Sequence, residues 1–415
     1  MLVERSLVAR TDDRRYVMLQ TLRAYGAEQL AASDRAEVVG ERHARHQVAW
    51  IKAADVRSAQ PGELVFVEID AAIPELRAAL DWLLDHHATE LARELVAGLW
   101  TYGFMRLRPD VLAWSERVIA ADPDDGSPAA AIVWVAAAYA AWMAGDIAET
   151  RRRSDHALRL AQRTGDEVPS LIGMICGSSD LFEGRLHEAA EWYQRSAETA
   201  MLDNPAFSQM SLASAAMALG YAGDPQASAL AERALEQTGH ATTPHAAYVW
   251  YCAGEADLAL GEVDRARHRL GRAVELAELT NASFVFGIAG ASKASIDAKL
   301  GDPATVTADY RRLILHWRRA GMWSTQWTML RSIAGLLHRL GHERDAAVLE
   351  GAVRATDAGH RIFGADAAAL DELGAAVRDA LGESAYDAAR REGSALDGDA
   401  AIDVALRALR SSAPE

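Results

Sequence analysis

Histidine, cysteine and carboxylate side chains carry most protein chemistry, and in this chain their spacing supports little of it. His43 and His46 stand three residues apart and His86 and His87 are adjacent. No cysteine or acidic residue completes a ligand set at metal-binding spacing, so these rings read as packed or solvated. His187-Glu188-Ala189-Ala190-Glu191 falls short of the zinc-binding helix, because glutamate occupies the place of the second histidine. Cys176 and Cys252, the only two cysteines, have no CxxC or metal-ligand spacing and read as small buried apolar residues in a reducing compartment. No G-x-x-x-x-G-K followed by Ser or Thr occurs, so these residues supply no phosphate-cradling loop. Carboxylates are many, yet nothing in their spacing pairs two of them for acid–base work. Arg151-Arg152-Arg153 reads as a solvated helix face. The expectation is a protein with no catalytic, cofactor-binding or metal-binding residues and no enzymatic activity.

Recognition chemistry is better represented. Large aromatic and sulfur-bearing side chains recur at Trp100, Phe104, Tyr139, Trp142, Met143, Met174, Phe182, Met217, Tyr221, Tyr248 and Tyr251. A common surface for them requires repeated elements, and the chain has a ladder of glycines. Its rungs are Gly145-Asp146, Gly184-Arg185, Gly223-Asp224, Gly261-Glu262, Gly301-Asp302 and Gly341-His342. A near-constant period of roughly 40 residues, as here, marks stacked supersecondary units. Seven residues before each glycine stand Ala138, Gly177, Ala216, Gly254, Ala294 and Ala334, and five after it stand Thr150, Ala189, Ser228, Ala266, Val306 and Ala346. All but Val306 are small, as a close approach of two helices requires. Glycine tolerates the left-handed conformation that ends a helix, and the acid that often follows suits the N-terminus of the next one. Each unit is therefore helix A, a tight glycine turn and helix B.

That register resembles the tetratricopeptide repeat over residues 88–345, with a unit longer than the usual length of about 34 residues. HEAT-type units also run to about 40 residues, but they do not call for a glycine turn with small residues at fixed offsets. Arg106, one such period before Gly145, takes the turn position of an earlier, degenerate rung, with Trp100 and Phe104 before it and Trp114 after it. The resemblance implies a right-handed superhelix of about seven helix pairs. Its inner wall would be made by helix A, at positions 13, 10, 6, 3 and 2 before the turn residue. The aromatic and methionine residues named above occupy those offsets, although such a wall is normally polar. Two readings stand open: longer helices turn these side chains into packing between repeats, or they line an apolar groove for a peptide, a partner helix or a small apolar ligand.

A chain of 415 residues is long for one core, but a solenoid escapes that limit because each unit packs on its neighbours. No apolar stretch approaches the length of a membrane-spanning helix, and the start has no charged-then-apolar leader. A soluble cytoplasmic protein with no membrane partner is therefore expected. A net charge of -16 argues against binding a phosphate backbone, and direct nucleic-acid binding is not expected.

Residues 1–34 are of another kind. Leu2 to Arg10, the polar turn Thr11-Asp12-Asp13 and Arg14 to Leu19 read as a β-hairpin, and a helix follows from about Gln20 to Ala32. A hairpin with one helix is too little to fold alone, so the segment reads as the end of a domain. Through Tyr16-Val17-Met18-Leu19 and the run Thr21 to Leu30 it resembles the last part of the winged helix that closes the nucleotide-binding core of signal-transduction ATPases. That family includes large bacterial transcriptional regulators of the LuxR and antibiotic-regulatory types. Glu68-Ile69-Asp70 leading into Leu76 to Trp82, and Ala380 to Tyr386 with Arg391-Glu392-Gly393, fit the same family.

The resemblance implies a winged-helix remnant at 1–34, a helical linker at 35–87, a tetratricopeptide-like arm at 88–345, and a last helix B with a helical cap at 346–415. It also implies a non-catalytic protein-interaction or ligand-sensing arm of an ATP-dependent regulator, since neither the ATPase motifs nor a DNA-reading helix-turn-helix is found in these residues. The partner would be a protein or peptide, or a small inducer; a free-standing adaptor is the alternative. In finer detail, the linker is expected to hold two helices, the first apolar on Val38, Val39, His43, His46, Val48, Trp50 and Ile51, the second broken at Pro74. The last helix B is expected over 346–363, with cap helices near 366–381, 384–392 and 398–410. The fold class expected is all-α apart from the hairpin.

Overall fold

The computed structural model describes residues 7–10, 16–62, 64–122, 127–164, 169–320, 323–355 and 365–411. The expected turn Thr11-Asp12-Asp13, the residues Leu2 to Ser6 and the stretch 356–363 lie outside the described residues. Two three-residue strands, β1 (Val8–Arg10) and β2 (Tyr16–Met18), pair antiparallel with Ala9 opposite Val17. The elements that follow are all helices.

Helix α1 (Gln20–Ala31) buries no residue. The linker is α2 (Ala36–Ser58) and α3 (Val65–Asp85). The buried stripe of α2 is Ala44, Val48, Ile51, Ala54 and Ser58, at helical spacing, which leaves Val38 and His46 in solvent and corrects the wider face expected for this helix. Pro74 sits inside α3 without ending it. Its missing N–H removes one bond of the ladder, while Ile69, Ile73, Leu76, Leu80 and Leu83, buried on either side of it, hold the helix in place.

The first rung is broken into α4 (Thr89–Gly98), α5 (Trp100–Met105), α6 (Pro109–Leu112) and α7 (Trp114–Ala121). Regular pairs of helix A and helix B follow: α8 (Pro128–Met143) with α9 (Ile147–Thr164), α10 (Ser170–Phe182) with α11 (Leu186–Ala200), and α12 (Pro205–Tyr221) with α13 (Gln226–Thr238). Then come α14 (Pro244–Ala259) with α15 (Val263–Thr280), α16 (Ser283–Leu300) with α17 (Pro303–Ala320), and α18 (Trp323–Arg339) with α19 (Glu343–Ala355). Three of the A helices open on a capping residue followed by proline. Ser127, Asn204 and Thr243 each accept the N–H three residues on, from Ala130, Phe207 and Ala246, and proline pre-sets the first turn.

The glycine turns follow from backbone hydrogen bonding. Gly145 is left-handed, its N–H reaches Trp142 O at 2.9 Å, and the N–H of Asp146 reaches Ala141 O at 3.0 Å, the paired bonds that close a helix C-terminus. Gly184, Gly223, Gly261 and Gly341 are left-handed too. Gly301 departs from this: its backbone is extended. The degenerate rung departs by one residue. Arg106 is helical, and Leu107, with φ of 54°, takes the left-handed place. The N–H groups of Leu107 and Arg108 bond Phe104 O and Gly103 O, so the same turn forms on a leucine whose side chain is buried. The small positions do bring helices together: a Cβ on Gly177 would meet the Tyr193 ring at 2.7 Å, and one on Gly254 would meet Leu270 at 2.8 Å.

Beyond the last rung α20 (Ala365–Leu381), α21 (Glu383–Ser394) and α22 (Gly398–Ser411) cover its apolar face, as a solenoid end requires. Helix α21 crosses α19 closely enough that a Cβ on Gly393 would overlap Val348 O. Glu350, 1% exposed, accepts from Tyr386 Oη at 3.1 Å and pairs with Arg354 and Arg390. The protein is thus an all-α helical-repeat superhelix with one small hairpin.

Candidate functional site

Helix A of successive rungs brings the sequence-derived aromatics together, but as a packed cluster. Phe104 lies 5.0 Å from Tyr139, 6.3 Å from Trp142, 6.3 Å from Tyr248 and 4.5 Å from Phe284, ring centre to ring centre. Trp100 packs on Phe104, Tyr139 and Phe207, and Trp142 on Phe182 and Phe284. Edge-on and tilted rings at these distances attract beyond the area they bury. Trp100, Phe104, Tyr139, Met143, Met174, Met217 and Tyr248 are all buried. Of the two readings left open, packing between repeats describes these seven: the array curls until its first rung meets the rung of α16, and their side chains fill the interior. Trp142, Phe182 and Tyr251 are half-buried at the edge, and Tyr221 is 43% exposed.

Phe207 and Phe284 belong to this cluster and were not singled out by the offsets read from the sequence. Both stand about one helical turn further from their glycines, Gly223 and Gly301, than the outermost offset of the stripe. Extending the inner stripe by one turn finds both.

Several polar groups in this interior are tied down. Burial holds the Tyr139 phenol well above its ordinary range, and it pushes the Cys176 thiol up to about 12, which leaves that sulfur an inert thiol. Tyr221 donates to Glu255 Oε2 at 2.5 Å, and Ser214 donates to Tyr248 Oη at 3.4 Å. Among the described residues no three His, Cys, Asp or Glu side chains gather as a metal site. His43 faces Glu75 at 3.2 Å, and the His86 ring stacks on Trp82.

Arginines stitch the rungs. Arg151, on α9, reaches Asp180 at the end of the next helix A at 2.5 Å and Glu183 at 2.9 Å. Arg267 on α15 makes the equivalent pair with Asp297 at 2.6 Å. Both arginines stand six residues after their turn glycine, and both acids four before the next. Arg153 donates to Ala137 O at 2.9 Å and pairs with Glu149 and Glu116. Of the run expected to be a solvated face, only Arg152 is, at 60% side-chain exposure. The sixth position after the turn glycine faces the following rung, so a cation there meets the neighbour's acid.

The node joining linker, first rung and α16 is built on Asp70. Tyr102 Oη donates to Asp70 Oδ1 at 2.6 Å, Arg106 Nη2 donates to Asp70 Oδ2, and Arg108 Nη1 donates to Tyr102 Oη at 2.7 Å. The other arm of Arg106 donates to Asn281 O and Ser283 Oγ, each at 3.2 Å.

No helix among the described residues is long and apolar enough to cross a membrane. No family model and no curated protein matches the chain. Among solved structures it is similar to a Rap protein complexed with competence and sporulation factor, at 11% identity and a TM-score of 0.43, over 77% of this chain and 99% of the other. It is also similar to a circular tandem repeat protein with novel repeat topology and enhanced subunit contact surfaces. That likeness is 16% identity and a TM-score of 0.21, over 91% of this chain and 95% of the other.

Proposed function

We propose that this chain is a non-catalytic interaction and sensing arm, a helical-repeat scaffold that takes a peptide or partner helix on its inner aromatic wall, within a larger ATP-dependent transcriptional regulator. The supporting observation is the aromatic cluster of helix A from several rungs, which is packed inside but leaves Trp142, Phe182 and Tyr251 half-buried and Tyr221 43% exposed at its rim. Its edge at Trp142, Phe182, Tyr221 and Tyr251 is where a partner makes first contact. The reading as an arm, over a free adaptor, is favoured by the N-terminal segment: Leu19 is 68% exposed, Tyr25 61% and Val38 49%. Such apolar exposure suits a face that packs on another globular body, as the regulators this sequence resembles would provide.

The test has two parts. The purified chain is expected neither to bind nor to hydrolyse ATP, and saturable turnover that follows the protein through purification overturns the non-catalytic reading. A partner captured from the source cells and identified is then titrated by calorimetry. Replacing Tyr221 by Ala should weaken its binding by about 30-fold, the scale of an interface aromatic. Equal affinities for both proteins would remove the wall from recognition.

A further inference from the structure

The contact between the first rung and the rung of α16 differs in kind from every contact between neighbouring rungs. Neighbours pack along whole helices and are cross-linked by buried ion pairs such as Arg151 with Asp180. Across the seam, by contrast, α5 touches the start of α16, beside ring contacts of Phe104 on Tyr248 of α14 and of Trp100 on Phe207 of α12. The seam consists of ring contacts, with Phe284 against Phe104 and Trp142, and of one charged side chain, Arg106. In a solenoid each unit is held by its neighbours, and the curvature is the sum of small rotations between them. A contact between units far apart in the array can therefore open by spreading a small rotation over several junctions, with no rung unfolding.

Arg106 is placed to set that balance. One arm is fixed to α3 through Asp70, and the other holds Asn281 O and Ser283 Oγ at the start of α16. A cation at a helix N-terminus works against the macrodipole. Helix α16 has no acid in its first turn and no side-chain cap, but Asn281 is the C-cap of α15, whose carbonyl end favours a cation, and Asp70 pairs with the other arm. The clasp is thus a charged pair on the α3 side and two hydrogen bonds to neutral acceptors where α15 gives way to α16.

We propose that the superhelix has a closed form, seen here, and an open form, and that Arg106 is the latch between them. Release of Arg106 from Asn281 and Ser283 parts Phe104 from Phe284 and makes the aromatic wall reachable. The link from opening to docking rests on the function proposed above; the latch itself does not.

Spin labels on Ala113→Cys and Leu315→Cys, both exposed sites, report the distance across the seam by double electron–electron resonance, with no partner present. The native Cys176 and Cys252 are buried. Arg106→Ala is expected to lengthen and broaden the distance distribution, with helix content and the melting of the central rungs unchanged. If Arg106→Ala fails to fold, Arg106→Lys, which keeps the charge but loses the two-armed grip, serves in its place. Ser283→Asp, which adds an acid at the helix start facing position 106, is expected to restore the short distance in the Arg106→Lys protein. Superimposable distributions for the parent and the Arg106 variants overturn the latch, and so does an opened seam that Ser283→Asp does not close. A seam that opens as expected while no partner is ever captured supports the latch and counts against the docking reading alone.

Discussion

At the scale of single residues, the aromatic cluster decides how a substitution should read out. Trp142 touches Phe104, Tyr139, Phe182 and Phe284, so truncating it leaves a cavity flanked by four rings. Trp142→Ala is expected to cost about 3 kcal/mol or more of stability, seen as a clear fall in melting temperature; a melt that matches the parent would place the ring outside the core. A second residue gives a pH signature. Asp55 has its carboxyl pushed up to about 6 by burial, partly offset by a hydrogen bond with Thr101. Its native pKa lies above the unfolded value of 3.8, so the folded state holds this proton more tightly. The contribution of Asp55 to stability is therefore greatest below pH 4, declines as pH rises to about 6, and stays low above that. Asp55→Asn should remove the decline, and its stability relative to the parent should grow between pH 4 and 6 and then level off. Denaturant midpoints measured across that range check it; a difference that does not change with pH would refute the assignment.

At the scale of elements, two kinds of glycine make different demands. Gly145 is left-handed with φ of 83°, and nothing stands within 4 Å of an added Cβ. Gly145→Ala should cost only the backbone strain of an L-residue there, about 1–2 kcal/mol. Gly393 lies where α21 crosses α19, and its added Cβ would overlap Val348 O. Backbone cannot yield as a side chain can, so Gly393→Ala must separate the two helices and expose Val348, Val353 and Tyr386. The expected result is a larger stability loss than for Gly145→Ala, with faster hydrogen exchange confined to α19, α21 and α22. Equal losses in the two variants would mean the crossing is looser than the structure shows. The periodicity of glycine was legible along the chain because turns are local: each needs only its own four or five residues. Leu107 escaped that reading because a buried leucine, held by its surroundings, took the left-handed place that glycine takes elsewhere.

At the scale of the whole molecule, stability should be uneven along the array. The rungs bury a continuous core, whereas α1 buries nothing. Hydrogen exchange of the isolated chain should be fast over β1, β2 and α1 and slow over α8 to α15; protection of α1 equal to that of α12 would show that it has found a packing partner. The sequence by itself determined the number and order of the helix pairs, the close approaches at the small positions, the capping helices and the stripe of aromatics on helix A, since each of these is set by periodicity or by residues a few positions apart. The tertiary structure alone decided that the stripe is packed instead of open, that Phe207 and Phe284 complete it, and that Arg151 and Arg106 serve as cross-links. Those outcomes depend on the accumulated curvature of the array. Curvature is a sum of small rotations over many junctions, and no local pattern of residues carries that sum.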